Sequence, residues 1–251
     1  MYLADIGRIR MKMGVFRRKV DKAKLVIRQA FEQSKNPYVA VSGGKDSIAM
    51  LGIVNDVATT LGRDYEIWAH LSDASFPGTQ ETIERAGQQL GRGVIIDWSP
   101  VSAFDVVGRK GSNTRHGKKG YFFDAIKNYV VTTEKDLAFV GVRAGESKRR
   151  RTACNIHGQL FQTTVPSPIL MCYPLAWFAV EDVAAAILYY DLPIHPIYGK
   201  DPIGCDPTEM RLGYTTAREM LNYGTAVFLK VNYPDIFNKI AVKWPEIRQF
   251  V

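Results

Sequence analysis

The 251-residue chain carries 33 Lys and Arg against 25 Asp and Glu, a formal net charge of +8, with 46% hydrophobic and 23% charged residues. That balance supplies enough apolar surface to offset ordering entropy, so a wholly disordered chain is excluded; no window reaches the roughly 18 apolar residues of a membrane span. Three widely spaced cysteines, Cys154, Cys172 and Cys205, without a CxxC pair, argue against a disulfide framework or a structural zinc site and favour a reducing, cytoplasmic setting.

The first residues are charged throughout and offer no apolar core for a secretory signal. Residues 1–36 hold ten basic and three acidic residues, a net of +7, whereas the other 215 net only +1. Val15, Val20, Leu25, Val26, Ile27, Ala30 and Phe31 predict a one-striped helix over Val15–Gln33. This basic arm is either a solvated helix covering the next domain or a dock for a nucleic acid or an acidic partner subunit. Next come a strand at Tyr38–Val41, a helix at Ser47–Leu61, strands at Glu66–Leu71 and Val94–Asp97 with a helix at Gly78–Leu90 between them, a helix at Tyr121–Val131 and a strand at Leu137–Val142. Strands alternating with helices require crossover connections, hence a mainly parallel, doubly wound α/β sheet of Rossmann-like type. After Val142 the pattern weakens: short strands at Phe161–Pro168 and Ile169–Tyr173, a helix at Val180–Tyr190, a proline-rich loop over Leu192–Pro207 and a last helix near Arg218–Lys230. Three regions result: the arm 1–36, a nucleotide-binding domain 37–208, and a helical C-terminal extension 209–251.

Ligands of such sheets bind beyond the carboxyl ends of the strands, where strand order reverses. There the sequence places Ser42-Gly43-Gly44-Lys45-Asp46-Ser47, between the first strand and its helix. Two glycines allow a sharp turn and close approach. Their amides and those of the first helical turn make an anion site, to which Lys45 adds charge and Ser42 and Ser47 add hydroxyls. Asp46 is repulsive toward phosphate unless a cation bridges them, which suggests Mg²⁺. A helix-capping role for Asp46 or Ser47 explains those two residues but neither the glycine pair nor the lysine. The spacing is neither a Walker A loop nor a Gly-x-Gly-x-x-Gly turn.

SGGKDS after a short strand resembles the PP-loop of the ATP pyrophosphatases, the adenine nucleotide alpha-hydrolase-like superfamily. Ser72-Asp73-Ala74-Ser75-Phe76-Pro77-Gly78-Thr79 looks like the DTG-x-x-FPET segment of the phosphoadenosine phosphosulfate (PAPS) reductase branch, with Ser75 and Gly78 departing from it. Gly141-Val142-Arg143-Ala144-Gly145-Glu146-Ser147-Lys148-Arg149-Arg150 looks like its G-x-R-x-x-ES-x-x-R segment, and Tyr173–Val183 with Leu192–Tyr198 like its PL-x-x-W … LP … P-x-Y stretch. The resemblance implies phosphate binding by the loop amides, Ser42, Lys45 and Ser47, metal placement by Asp46, and a nucleotide site completed by Ala40, Ser72, Asp73, Gly141 and Arg143. Catalytic residues would be Lys45, Asp46, Arg143 and Arg149; the two arginines suit bidentate pairing with phosphate or sulfate. Asp73 could instead serve as a turn or helix cap, Trp177 and Tyr198 read as packing residues, and His116, His157 and His195 are too scattered for a metal site.

The chain departs from the reductases in its cysteines. No cysteine follows Cys205, so the C-terminal nucleophile of sulfonucleotide reduction is missing. Thr208 stands where an iron–sulfur version carries its second cysteine, and no upstream pair exists, so no iron–sulfur cluster is expected. What the resemblance leaves is ATP or a related adenine nucleotide, Mg²⁺, and cleavage at the α-phosphate with adenylyl transfer. The alternatives are a PAPS or adenosine phosphosulfate (APS) reductase variant using Cys205 or an external thiol, and a nucleic-acid modification module. A homo-oligomer is compatible with the sequence; a membrane partner is not expected.

Overall fold

A computed structural model describes residues 2–100, 102–103, 121–165, 167–200, 212 and 223–251. Chain order gives α1 (Tyr2–Met11), α2 (Gly14–Glu32), β1 (Pro37–Ala40), α3 (Lys45–Leu61), β2 (Glu66–Leu71), α4 (Thr79–Gln89), β3 (Val94–Trp98), α5 (Tyr121–Thr132), β4 (Leu137–Val140), α6 (Lys148–His157), β5 (Leu160–Thr163), β6 (Ile169–Cys172), α7 (Val180–Tyr189), α8 (Tyr223–Asn232) and α9 (Pro234–Lys243). Short 3₁₀ turns lie at Ala144–Glu146, Pro196–Gly199 and Pro245–Phe250.

The strands form one six-stranded sheet in the order β3-β2-β1-β4-β6-β5, parallel except for β5, which runs antiparallel to β6 at the edge. This is the expected α/β Rossmann-like architecture. Central β1 and β4 are short apolar runs buried on both faces, as parallel strands under helices must be. Side chains alternate across the pleat. Val39, Ile67, Ala69 and Phe139 join the core beneath α2, α3, α4 and α7, whereas Tyr38, Trp68 and Ala138 face α5. Helix α3 carries Ile48, Leu51, Val54 and Ala58 on its buried side and stops at Gly62, whose φ of 61° provides the left-handed cap.

The register fixes the geometry that matters for a ligand. Ala40 at the end of β1 is level with Trp68 of β2 on one side and with Val140 of β4 on the other. Connections leave β1 toward β2 on one side, while β4 lies on its other side, so the reversal point is the gap between the β1 and β4 tips.

Helices α1 and α6 were not visible as periodic patterns. The first packs along α7, and the second builds on the basic run Lys148–Arg151. Ser147 caps α6 by accepting the Arg150 N–H at 3.1 Å, so local hydrogen bonding makes a helix where the sequence shows only a charged turn. The arm's helix spans Gly14–Glu32. Helix α8 begins at Tyr223, and the part of the predicted helix before it lies outside the described residues, as do Arg109–Lys119 and Cys205. Among the described residues no helix is long and apolar enough to cross a membrane.

Candidate nucleotide site

The SGGKDS segment occupies the predicted place. Beyond β1, the Val41 N–H still donates to the Trp68 carbonyl at 2.9 Å, holding the loop entrance in the sheet. Gly43 then takes φ of +75°, and a Cβ there would lie 3.0 Å from the Thr79 side chain, so both conformation and space demand glycine. Ser47 closes the loop: its hydroxyl donates to the Gly44 carbonyl at 2.9 Å and accepts the Ser42 N–H at 3.1 Å. The first turn of α3 thus presents the amides of Asp46 and Ser47 at the helix's positive end. The Lys45 N–H donates to Tyr198 Oη at 3.1 Å.

Behind the loop runs a chain of alternating charge. Lys45, 3% exposed, places Nζ 3.4 Å from Asp46 Oδ2. Asp46 Oδ1 accepts from Arg143 Nε, the Arg143 N–H donates to Glu146 Oε2 at 2.9 Å, and Glu146 Oε2 also accepts from Arg150. Burial lowers the Lys45 pKa from its ordinary value, and the Arg143 charge pushes the same way against the opposing pull of Asp46. Lysine charge there is held at a cost that a phosphate would relieve. Three cations and two carboxylates leave the cluster with an excess of one positive charge. Gly141 brings β4 to this cluster: a Cβ on it would meet the backbone of Asp46 and Ser47 at 3.0 Å, so only glycine permits the β4 tip to touch the first turn of α3.

A cavity of about 450 Å³ opens at the β1–β4 reversal point. Of the residues expected at a nucleotide site, Ala40, Ser42, Gly44, Asp46, Ser47, Ser72 and Gly141 line it. Gly43, Lys45 and Arg143 stand outside its lining: Gly43 shapes the turn, and the two cations are buried in the ion-pair chain. Asp73 is also outside; its carboxylate accepts the Ser102 hydroxyl at 2.6 Å and the Ala103 N–H at 2.8 Å. Arg149 is exposed and does not line the cavity, whereas its neighbour Arg150 does, through its bond with Glu146. On the α5 side Trp68, His70 and Phe122 add an aromatic wall, and Tyr198 and Leu212 close over Gly44. Tyr198 had read as a packing residue. Its distance in sequence from the loop hid it, although the LP … P-x-Y stretch marked the segment as distinctive.

Neither Cys154 nor Cys172 lines the cavity; both are buried, and burial raises both thiols from their ordinary range. Trp177 is half exposed.

Residues 36–216 match the phosphoadenosine phosphosulfate reductase domain. No curated protein matches the sequence. Among solved structures, Candida glabrata FMN adenylyltransferase in complex with ATP superposes with a TM-score of 0.55 at 13% identity, covering 78% of this chain and 65% of that one, so the chain spans under two thirds of that protein's length. Candida auris PAPS reductase in its phosphate complex gives 0.52 at 12% identity, over 78% and 89% of the two chains. The Methanococcus maripaludis U34-tRNA thiolase with its 4Fe–4S cluster gives 0.50 at 12%, over 92% and 78%. At such identities the likeness is one of fold.

The thiolase corrects the cofactor expectation of Mg²⁺ without an iron–sulfur cluster. A structure of this fold carries a 4Fe–4S cluster, so the fold itself does not exclude one. Nor do the residues fit the Mg²⁺ assignment: the Asp46 carboxylate is engaged by Arg143 and Lys45, and among the described residues no group of three or more His, Cys, Asp or Glu is placed to hold a metal. The repulsion that had suggested a cation is answered by side chains of the chain itself. With residues 36–216, most of its length, matching that domain, the chain belongs to the phosphoadenosine phosphosulfate reductase domain family.

Proposed function

We propose that the cavity binds an adenine nucleotide with its phosphates on the Ser42–Ser47 loop, and that the chain catalyses attack at the α-phosphate of ATP, transferring adenylyl to an acceptor and releasing pyrophosphate. The observation that carries this reading is that the Ser42–Ser47 loop lines one cavity between the β1 and β4 tips, with Lys45 and Arg143 paired to the lining residue Asp46 directly behind it. The acceptor oxygen would form a bond to the α-phosphorus as the bridging P–O bond breaks, its electron pair leaving with pyrophosphate and the acceptor proton passing to water. Positioning and charge stabilisation supply most of the catalysis in phosphoryl chemistry. Lys45 and the loop amides would stabilise the departing pyrophosphate. Arg150, released from Glu146, would reach the α-phosphate from the mouth. Asp46 would act as a positioning residue that orients Arg143 and Lys45. Ser42, Ser47 and Ser72 would supply hydroxyls, and Ala40 and Gly141 close backbone approach.

Thermal shift with ATP, ADP, AMP, APS and PAPS tests the ligand class, because stabilisation grows as RT ln(1 + [L]/Kd). Turnover of ATP should release pyrophosphate. Orthophosphate as the sole product would overturn the chemistry, and stabilisation by PAPS or APS alone would favour sulfonucleotide reduction. That alternative needs an external thiol or Cys205, which lies outside the described residues; Cys154 and Cys172 do not line the cavity.

A further inference from the structure

We infer that Tyr198 is a further phosphate-contacting residue of this site, its phenol donating in place of the Lys45 amide that it accepts. The inference rests on the nucleotide reading above. Tyr198 is held rigidly from both sides. Pro196 opens the 3₁₀ turn Pro196–Gly199 with its fixed φ, and the preceding His195 accepts the Ile197 N–H on Nδ1 at 3.0 Å. That bond assigns the ring proton to Nε2, which faces Thr79 Oγ1 at 3.1 Å. The turn is thereby tied to the start of α4, and the Tyr198 ring is buried beneath the phosphate loop.

A phenol has one proton to donate besides its lone pairs. Tyr198 Oη already accepts the Lys45 N–H at 3.1 Å, and the Lys45 ammonium stands 5.5 Å from the ring centroid. Accepting from the positive end of α3 polarises the O–H and leaves its proton to point elsewhere. Tyr198 lines the cavity, and its hydroxyl lies 3.7 Å from where a Gly44 Cβ would sit, so the proton is delivered beside the loop amides rather than at a distance from them. An oxygen of the bound polyphosphate is the acceptor that this arrangement suits. Burial raises the phenol's pKa, so the residue serves as a hydrogen-bond donor and does not give up its proton.

The test is Y198F in the full chain, with ATP and adenosine affinities measured side by side. The ring packing is retained, while the O–H is lost and the Lys45 N–H is released to the loop. ATP affinity should fall about tenfold or more, the usual effect of removing a hydrogen bond to a charged group, while adenosine affinity stays unchanged. Unchanged ATP affinity would overturn the inference, and so would equal losses for ATP and adenosine, which would mark a purely structural role. Should Y198F fold poorly, 3,5-difluorotyrosine at position 198 strengthens the donor without changing the packing and should tighten ATP binding; no tightening would equally overturn the inference. Wild-type protein that binds adenosine but not ATP would remove the underlying nucleotide-phosphate reading itself.

Discussion

Lys45 and Arg143 contribute charge that is already stored in a buried network, so their removal should cost more than the loss of a surface lysine. K45A should lower the rate of pyrophosphate release by about a hundredfold or more, in line with the loss of a preorganised electrostatic contact; R150A should act at the mouth and weaken nucleotide affinity, read by titration. Gly141 is the sterically tightest point of the site. Adding one methyl in G141A forces the β4 tip away from the Asp46 backbone, at about 1–3 kcal/mol of stability, measurable by denaturant unfolding. The sequence made the loop legible because glycines and a lysine at a strand end have few other uses. Arg150 was hard to separate from Arg149 because adjacent residues on a helix point about 100° apart and only the fold says which one faces the cavity. Tyr198 was illegible for another reason: a tyrosine that only packs and a tyrosine that also accepts an amide of the loop look the same until that amide, 153 residues away, is known.

At the scale of elements, α1, α2 and α7 are fastened by a single carboxylate. Asp182 is fully buried and accepts Arg10 Nε at 2.6 Å, Lys19 Nζ at 2.5 Å and the Ala179 N–H at 2.7 Å. Burial alone would raise its pKa, yet the hydrogen bonds from Arg10, Lys19 and the helix start bring it below the usual carboxylate range. D182A would leave two cations facing a buried gap and uncap α7, costing about 3–5 kcal/mol, seen as a lowered Tm. Lys24 likewise turns inward to Asp56, so part of the arm's positive charge serves packing rather than an external polyanion. This division was hidden in the sequence, where Arg10, Lys19 and Lys24 look like any other basic residue of the arm. Its periodic apolar stripe, in contrast, announced α2 within one residue at each end, and the β-α alternation announced the parallel sheet, because both are written in spacing that survives without tertiary contacts.

For the whole molecule, acid sensitivity should centre on His195. Burial lowers its folded-state pKa from 6.5 to about 4. Between those values the unfolded chain binds the extra proton, so stability rises with pH across this window: it is full above about pH 6.5 and is lost progressively as pH falls toward 4. Protonation would also oblige Nδ1 to abandon the Ile197 amide. Tm followed from pH 7 to pH 4 should fall through this range, and H195Q should flatten the decline; an unaltered slope in that variant would assign the sensitivity to other groups.

The segment that matches the family begins at residue 36, yet Phe16, Ile27, Ala30 and Phe31 upstream of it are almost completely shielded from water. Those side chains belong to one shared interior with α3, α4, α7 and the sheet. Cutting the gene at the family boundary would therefore not liberate a smaller folded unit. It would strip the greasy back of the sheet bare, and the fragment should come out of cells as insoluble aggregate.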